Sequence, residues 1–267
     1  MNLENRWSQN SLWVGLSILL ISLGVGMSQA AEMDCTTTVD ITANFTMNES
    51  YATTSASDCF KITGTNVVFN CSGKEIRCKN TSGTCGNAIR VVGSGATVKN
   101  CYILGLTDDW TVGVNDLSVF GVFRDTDVTR TVVDNAAFAM RVGGSVTDSV
   151  FTGITNQCIS PGFSRQPAGL LIKDNFCQSD NDGIVVKGQT SGANVDVEQN
   201  YVQATNSGIL QLDGLVNIER NIVDATTPMD LLDDTEVTLT DNICTDNTDC
   251  PVPDDFPFGT ALTINFR

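Results

Sequence analysis

Between Leu170 and Cys244 one eight-residue phrase is written four times: apolar, any, apolar, any, any, Asn, any, apolar. The copies are Leu170-x-Ile172-x-x-Asn175-x-Cys177, Val195-x-Val197-x-x-Asn200-x-Val202, Val216-x-Ile218-x-x-Asn221-x-Val223 and Val237-x-Leu239-x-x-Asn242-x-Cys244. The asparagines stand 25, 21 and 21 residues apart (200 − 175, 221 − 200, 242 − 221). Self-similarity at such a period marks stacked repeats, in which each unit buries its apolar face against its neighbours. Alternation on either side of the Asn turns one face of two short strands inward. Asn tolerates the left-handed backbone conformation and hydrogen-bonds locally, so it is expected to make the bend between them. Stacking in register would then set Asn175, Asn200, Asn221 and Asn242 one above another. Eight residues after three of these asparagines come Gly183, Gly208 and Met229, each opening another short strand. Three strands per coil, each paired with its equivalent in the next coil, predict an all-β protein, a parallel β-helix. A doubly wound α/β domain would need long amphipathic crossovers, whereas the linkers here are short, polar and without helical periodicity.

The phrase extends toward the N-terminus as Val67-x-Phe69, Ala96-x-Val98-x-x-Cys101-x-Ile103, Thr131-x-Val133-x-x-Ala136-x-Phe138 and Gly144-x-Val146-x-x-Ser149-x-Phe151. Cys101, Ala136 and Ser149 thereby fall in the Asn column, at steps of 35 and 13 (136 − 101, 149 − 136) that together make two coils. From Val67 to Cys244 the pattern predicts roughly eight coils. Residues 63–245 are assigned to the solenoid, with 31–62 and 246–267 as N- and C-terminal caps that shield its end coils from edge pairing.

Residues 1–30 read as a signal peptide: Arg6, an apolar run from Leu12 to Met27, then small residues at Ser28-Gln29-Ala30. The run is short for a membrane span. The expected location is secreted, periplasmic or at the cell surface, with no membrane association after cleavage. All ten cysteines follow this segment, and an even number in an exported chain points to disulfides. Cys78 with Cys85 and Cys244 with Cys250 are close enough to close local loops, and Cys71 and Cys101 hold similar places in successive coils; the pairing stays open. Asn44, Asn48, Asn70 and Asn80 each begin an Asn-x-Ser/Thr glycosylation pattern. A net charge of −16, with no histidine, argues against nucleic acid or an anionic membrane as partner. Calcium, cationic surfaces and neutral glycans remain.

The Asn-bearing phrases and the Gly-Ile-x-Val strands resemble the right-handed β-helix (PbH1) repeats of the pectin-lyase-like superfamily, which includes pectate lyases, polygalacturonases and alginate epimerases. The resemblance covers about residues 65–244 and implies a right-handed β-helix with substrate along one sheet, here the one opened by Gly183 and Gly208. It implies an extracellular or cell-wall polysaccharide as partner. Asn181-Asp182-Gly183-Ile184-Val185-Val186-Lys187 is similar to the polygalacturonase phrase with two adjacent Asp. The first of that pair is Asn181 here, with Asp180 one residue earlier, and the histidine motifs of hydrolases and epimerases have no counterpart. Two-carboxylate hydrolysis is therefore less implied than lyase chemistry. In a lyase, calcium on Asp180 and Asp182 would acidify the proton beside a uronate carboxylate, with Arg141 or Lys187 removing it and Asp182 as a catalytic carboxylate. Aligning Ala88-Ile89-Arg90-Val91 and Ala139-Met140-Arg141-Val142 with Gly183-Ile184-Val185-Val186 sends Arg90 and Arg141 outward on one sheet, with Lys187 two residues further along. Arg90, Arg141, Asp180, Asp182 and Lys187 are thus the candidate substrate-binding residues. Trp110, beside Asp108-Asp109, stands either to stack on a sugar or to cover the core. Three functions remain in view: polysaccharide binding, a calcium-dependent uronan lyase, and a non-catalytic structural surface protein.

Overall fold

A computed structural model describes residues 32–81, 83–105, 110–116, 125–160, 169–190, 192, 194–232 and 237–244. The signal segment, Cys250, Asp108-Asp109, Asp233-Asp234, Asp254-Asp255 and the C-terminal cap lie outside them. Within them the chain is a parallel β-solenoid of about seven turns with no helix. The first strands of successive coils form a nine-stranded sheet, from Phe45–Thr46 through Val195–Glu198 to Val237–Thr240. Second and third strands belong to one seventeen-stranded sheet. They are joined because Val132–Arg141 and Val150–Ile159 run through both positions without a break. Every pairing is parallel, and from Leu171 to Thr240 the first strands keep the register the repeat predicts: Ile172 opposite Val197, Val197 opposite Ile218, and Ile218 opposite Leu239. From Val68 the coils are complete as far as Leu231, and Val237–Thr240 with Ile243–Cys244 begins the next. The segment expected as the N-terminal cap carries strands in the same stack, with Phe45 opposite Phe69, Tyr51 opposite Ile76 and Phe60 opposite Ile89.

The inward positions form one continuous core, with Ile62, Phe69, Val98, Ile103, Phe151, Ile172, Val197 and Ile218 fully shielded from solvent. In the first coils aromatic rings fill the core: Phe69 stacks on Phe45, and its ring meets Phe60 edge-on at 4.9 Å. Trp110 is fully buried and its indole N–H donates to the Leu104 carbonyl at 3.0 Å, which makes it a core residue and removes it from any sugar site.

The asparagines do stack, but they do not make the bend. The left-handed residue is the one before each: Asp174 (φ 55°), Gln199 (54°), Arg220 (55°) and Asp241 (53°). The Asn side chain points inward instead, where Asn175, Asn200, Asn221 and Asn242 are all buried. Asn175 Oδ1 accepts the Ser149 N–H at 3.1 Å, and in Asn200, Asn221 and Asn242 the Oδ1 accepts both the backbone N–H and the Nδ2–H of the preceding Asn, at 3.0 and 3.0 Å for Asn200. Each Nδ2 also donates to a carbonyl of the preceding coil, Ile172 O at 2.9 Å in that case. A tight bend strands backbone groups that cannot reach water, and a carboxamide, with two donors and an acceptor, satisfies them where a carboxylate would not.

The same column corrects the register near Ala136. Val128 pairs with Val98 and Val146, so the column is occupied by Thr131, whose N–H donates to the Ser149 hydroxyl. The steps become 30 and 18 (131 − 101, 149 − 131), and Ala136 lies between Trp110 and Ile154 in the following strand. Ser149 stands in the column as the spacing predicts, and Thr131, carrying the ladder with a hydroxyl, takes the place assigned to Ala136.

Disulfides join Cys35 to Cys59, Cys71 to Cys101, Cys78 to Cys85 and Cys158 to Cys177. Cys244 is also disulfide-bonded, and no described cysteine is free. Cys71–Cys101 ties successive coils at the column where the Asn ladder is absent, replacing amide hydrogen bonds with a covalent link.

Candidate functional site

The third strand of each coil carries the predicted residues, and its register decides which of them meet. Lys61 pairs with Arg90, Arg90 with Asn115, and Asn115 with Arg141, so these four side chains form one outward row. Adjacent strands are about 4.8 Å apart, which puts Arg90 and Arg141 about 10 Å from each other. Beyond Arg141 the row continues through buried Ser160, then turns apolar and finally acidic: Val185 pairs with Leu210, and Leu210 with Asp230. The alignment that sent Arg90 and Arg141 outward on one sheet agrees with the pairing. Lys61 and Asn115 extend the row. Phe60-Lys61-Ile62 has the same apolar-basic-apolar form as Ile89-Arg90-Val91, a signal hidden because that segment lacks the Asn phrase.

The two arginines differ in their surroundings. Arg90 Nη1 lies 3.5 Å from Asp58 Oδ2, and Asp58 Oδ1 also accepts the Asn87 N–H at 3.2 Å. Asn87 in turn accepts from Asn115 Nδ2 at 3.1 Å, so Arg90 belongs to a closed polar network. Arg141 has no carboxylate partner among the described residues. Its guanidinium lies over the Phe138 ring, 5.0 Å from the centroid, and its Nε is enclosed without a hydrogen-bond partner. Burial lowers its pKa from the ordinary arginine value, although a guanidinium stays charged at any physiological pH. An enclosed N–H without an acceptor costs about 1–3 kcal/mol, more for a charged group, and an incoming oxygen would relieve that cost.

The acidic candidates are not brought together. Asp180 is exposed, while Asp182 is 7% exposed. Asp182 Oδ2 accepts from Gln157 Nε2 at 3.2 Å, and Oδ1 from Asn206 Nδ2 at 2.8 Å and the Ser207 N–H at 3.4 Å. Ser207 Oγ continues the chain to Asp230 at 3.2 Å. A carboxylate already held by three donors ties neighbouring coils together. Calcium asks for six to eight oxygens, and no three His, Cys, Asp or Glu side chains gather to hold an ion among the described residues. Asp180 and Asp182 therefore do not fit a calcium cage. Lys187 is half-buried, has a polar neighbour, and lies two coils and two residues from Arg141 along the sheet.

Gly183 and Gly208 open their strands for a steric reason. A Cβ on Gly183 would stand 2.3 Å from Val202 Cγ1, and one on Gly208 2.1 Å from Val223 Cγ1. The glycines thus allow close packing against the second strand of the following coil and report on fold. Among the described residues no helix is long and apolar enough to cross a membrane.

The fold and this face define a class, a disulfide-linked parallel β-solenoid with a short basic row on one sheet. No protein family model matches the chain, and neither a curated protein nor a solved structure does.

Proposed function

We propose that the chain is a secreted β-helix protein related to the pectin-lyase-like superfamily, which binds extracellular polysaccharide along the sheet that carries Arg90, Arg141 and Lys187. The observation that supports this most is Arg141. In a chain of net charge −16, one guanidinium is held half-buried on an aromatic ring, with no carboxylate partner among the described residues and an enclosed Nε lacking an acceptor. Fixed stacking with an unused donor is how a site prepares for a ligand oxygen while limiting the entropy lost on binding. Lys61 adds a further cation in the same row, and Lys187 stands further along the same sheet. The disulfides and the leader-like first thirty residues support export. Lyase chemistry draws less support, since the carboxylates it would use for calcium are apart in setting and Asp182 is committed to its neighbours.

Glycan arrays probed with the wild type, Arg141→Ala and Lys187→Ala test this. Binding to a defined glycan, lost or weakened in Arg141→Ala, is the expected result. No binding anywhere, or binding indifferent to both substitutions, overturns it.

A further inference from the structure

A second outward column, on the neighbouring face, runs through seven consecutive coils without a charge. Tyr102 pairs with Val132, Val132 with Val150, Val150 with Phe176, Phe176 with Tyr201, Tyr201 with Ile222, and Ile222 with Ile243. Tyr102 and Ile243 are each 45% exposed at the two ends, and the five between are half-buried. The Phe176 and Tyr201 rings lie parallel, 5.4 Å apart, and close the middle of the stripe into a continuous ridge. Six strand spacings give it a length of about 29 Å, and it is one side chain wide, about 7 Å. The inward side chains of the same strands already fill the core, so nothing internal requires apolar residues here; outward positions on a solenoid are ordinarily polar, as with Asp196, Glu198, Asn217 and Glu219 in the first-strand sheet.

The shape selects the occupant. The stripe covers roughly 200 Å² by these dimensions, far below the ~800 Å² per partner of a stable protein interface. Its length suits a single extended chain, and its repeat is nearly that of the sugar rings in a β-1,4-linked glycan. Such a chain is a ribbon with apolar C–H faces and hydroxyls along its edges. Polar groups that could meet those hydroxyls stand on both flanks: Gln178 and Gln203, in register and exposed, with Asp134 and Asp224 on one side, and the bend residues Arg130, Asp148, Asp174, Gln199, Arg220 and Asp241 on the other. The stripe itself has no charge, and the five flanking carboxylates outnumber the arginines Arg130 and Arg220 at the bend, which favours an uncharged glycan over an acidic one.

We propose that this stripe is a second ligand surface, separate from the Arg141 face, that takes an uncharged β-1,4-linked polysaccharide laid along the solenoid axis. The secreted chain is mixed with microcrystalline cellulose or with chitin, and the protein left in solution is measured for the wild type, a Tyr201→Thr/Ile222→Thr double variant, and a Thr238→Ala control on the polar sheet. Depletion by at least one of the two polymers, weakened at least about tenfold in the double variant and unchanged in the control, is the expected result; a tenfold change corresponds to about 1.4 kcal/mol. The replacements point outward and leave a β-branched residue at each position, and circular dichroism checks the fold. Tyr102→Ser, at the exposed end, serves if the double variant fails to fold. No depletion by either polymer overturns the proposal, as does depletion indifferent to the stripe variants. So does a dimer in solution that the double variant abolishes, since a second copy would then be the occupant. None of these outcomes touches the Arg141 face, which the arrays test independently.

Discussion

Replacing Asn200 by alanine removes the best-defined unit of the ladder. Its Oδ1 accepts from the Asn175 N–H and Nδ2–H, each at 3.0 Å, and its Nδ2 donates to Ile172 O at 2.9 Å and Asn221 Oδ1 at 3.0 Å. Asn221 Oδ1 keeps a donor, because the Asn200 backbone N–H still reaches it at 2.9 Å. The Asn175 N–H, one Asn175 amide hydrogen and the Ile172 carbonyl lose this partner in a region where Asn175 and Asn200 are nearly inaccessible. At about 1–2 kcal/mol for each stranded group, the loss comes to about 3–6 kcal/mol, against ±0.5 for an exposed control such as Gln203→Ala. Urea unfolding followed by circular dichroism reads the stability, and hydrogen exchange reads the Asn175 amide directly. The expected result is a lower midpoint with that amide unprotected. A loss under about 1 kcal/mol with the amide still protected would refute the idea that the carboxamides carry the backbone through the bend.

Two further outcomes follow from the packing and the charges. Gly208→Ala would place a Cβ 2.1 Å from Val223 Cγ1 and 2.7 Å from the Pro228 carbonyl; the forced shift should cost about 1–3 kcal/mol, visible as a lower thermal midpoint. Burial, with Asp148 and Glu198 nearby, raises the Asp174 pKa above its ordinary 3.8 despite the opposing charge of Lys173. A raised carboxyl means that the folded chain binds the proton more tightly than the unfolded one, so the relative stability from this group is full below 3.8 and is lost as pH rises through the folded value. Asp174→Asn, which keeps the left-handed bend accessible, should therefore be more stable than wild type at neutral pH. The pH-dependent part of that gain should fade as pH falls below 3.8, and a difference that does not change with pH would contradict the assigned burial.

The architecture was legible because it rests on spacing. The four Asn phrases predict the parallel pairing and register from Leu171 to Thr240. The bend chemistry was not legible, because Asn serves equally well as a left-handed residue and as a buried amide; only the backbone shows that Asp174, Gln199 and Arg220 take the first role. Near Thr131 the pattern misled, since a hydroxyl replaces the amide and coils of 30 and 18 residues average to the expected length. On the candidate face the repeat correctly turned Arg90 and Arg141 outward. It could not reveal that Arg90 is neutralised by Asp58 from the preceding coil while Arg141 rests on Phe138, because those partners depend on packing across coils. Asp182 looked catalytic by its neighbours in sequence and is instead held by Gln157, Asn206 and Ser207.

The most direct test of the Arg141 face is a calorimetric titration of its strongest array ligand into the wild type, Arg141→Lys and Arg141→Ala. An oxygen bound to the enclosed Nε and stabilised by the stacked guanidinium predicts at least about a tenfold loss of affinity in Arg141→Ala, the factor for 1.4 kcal/mol. Arg141→Lys should recover only part of it, because an ammonium retains the charge without the planar fork. Equal affinities for all three proteins, with their folds intact, would contradict the assignment of this sheet as the binding face.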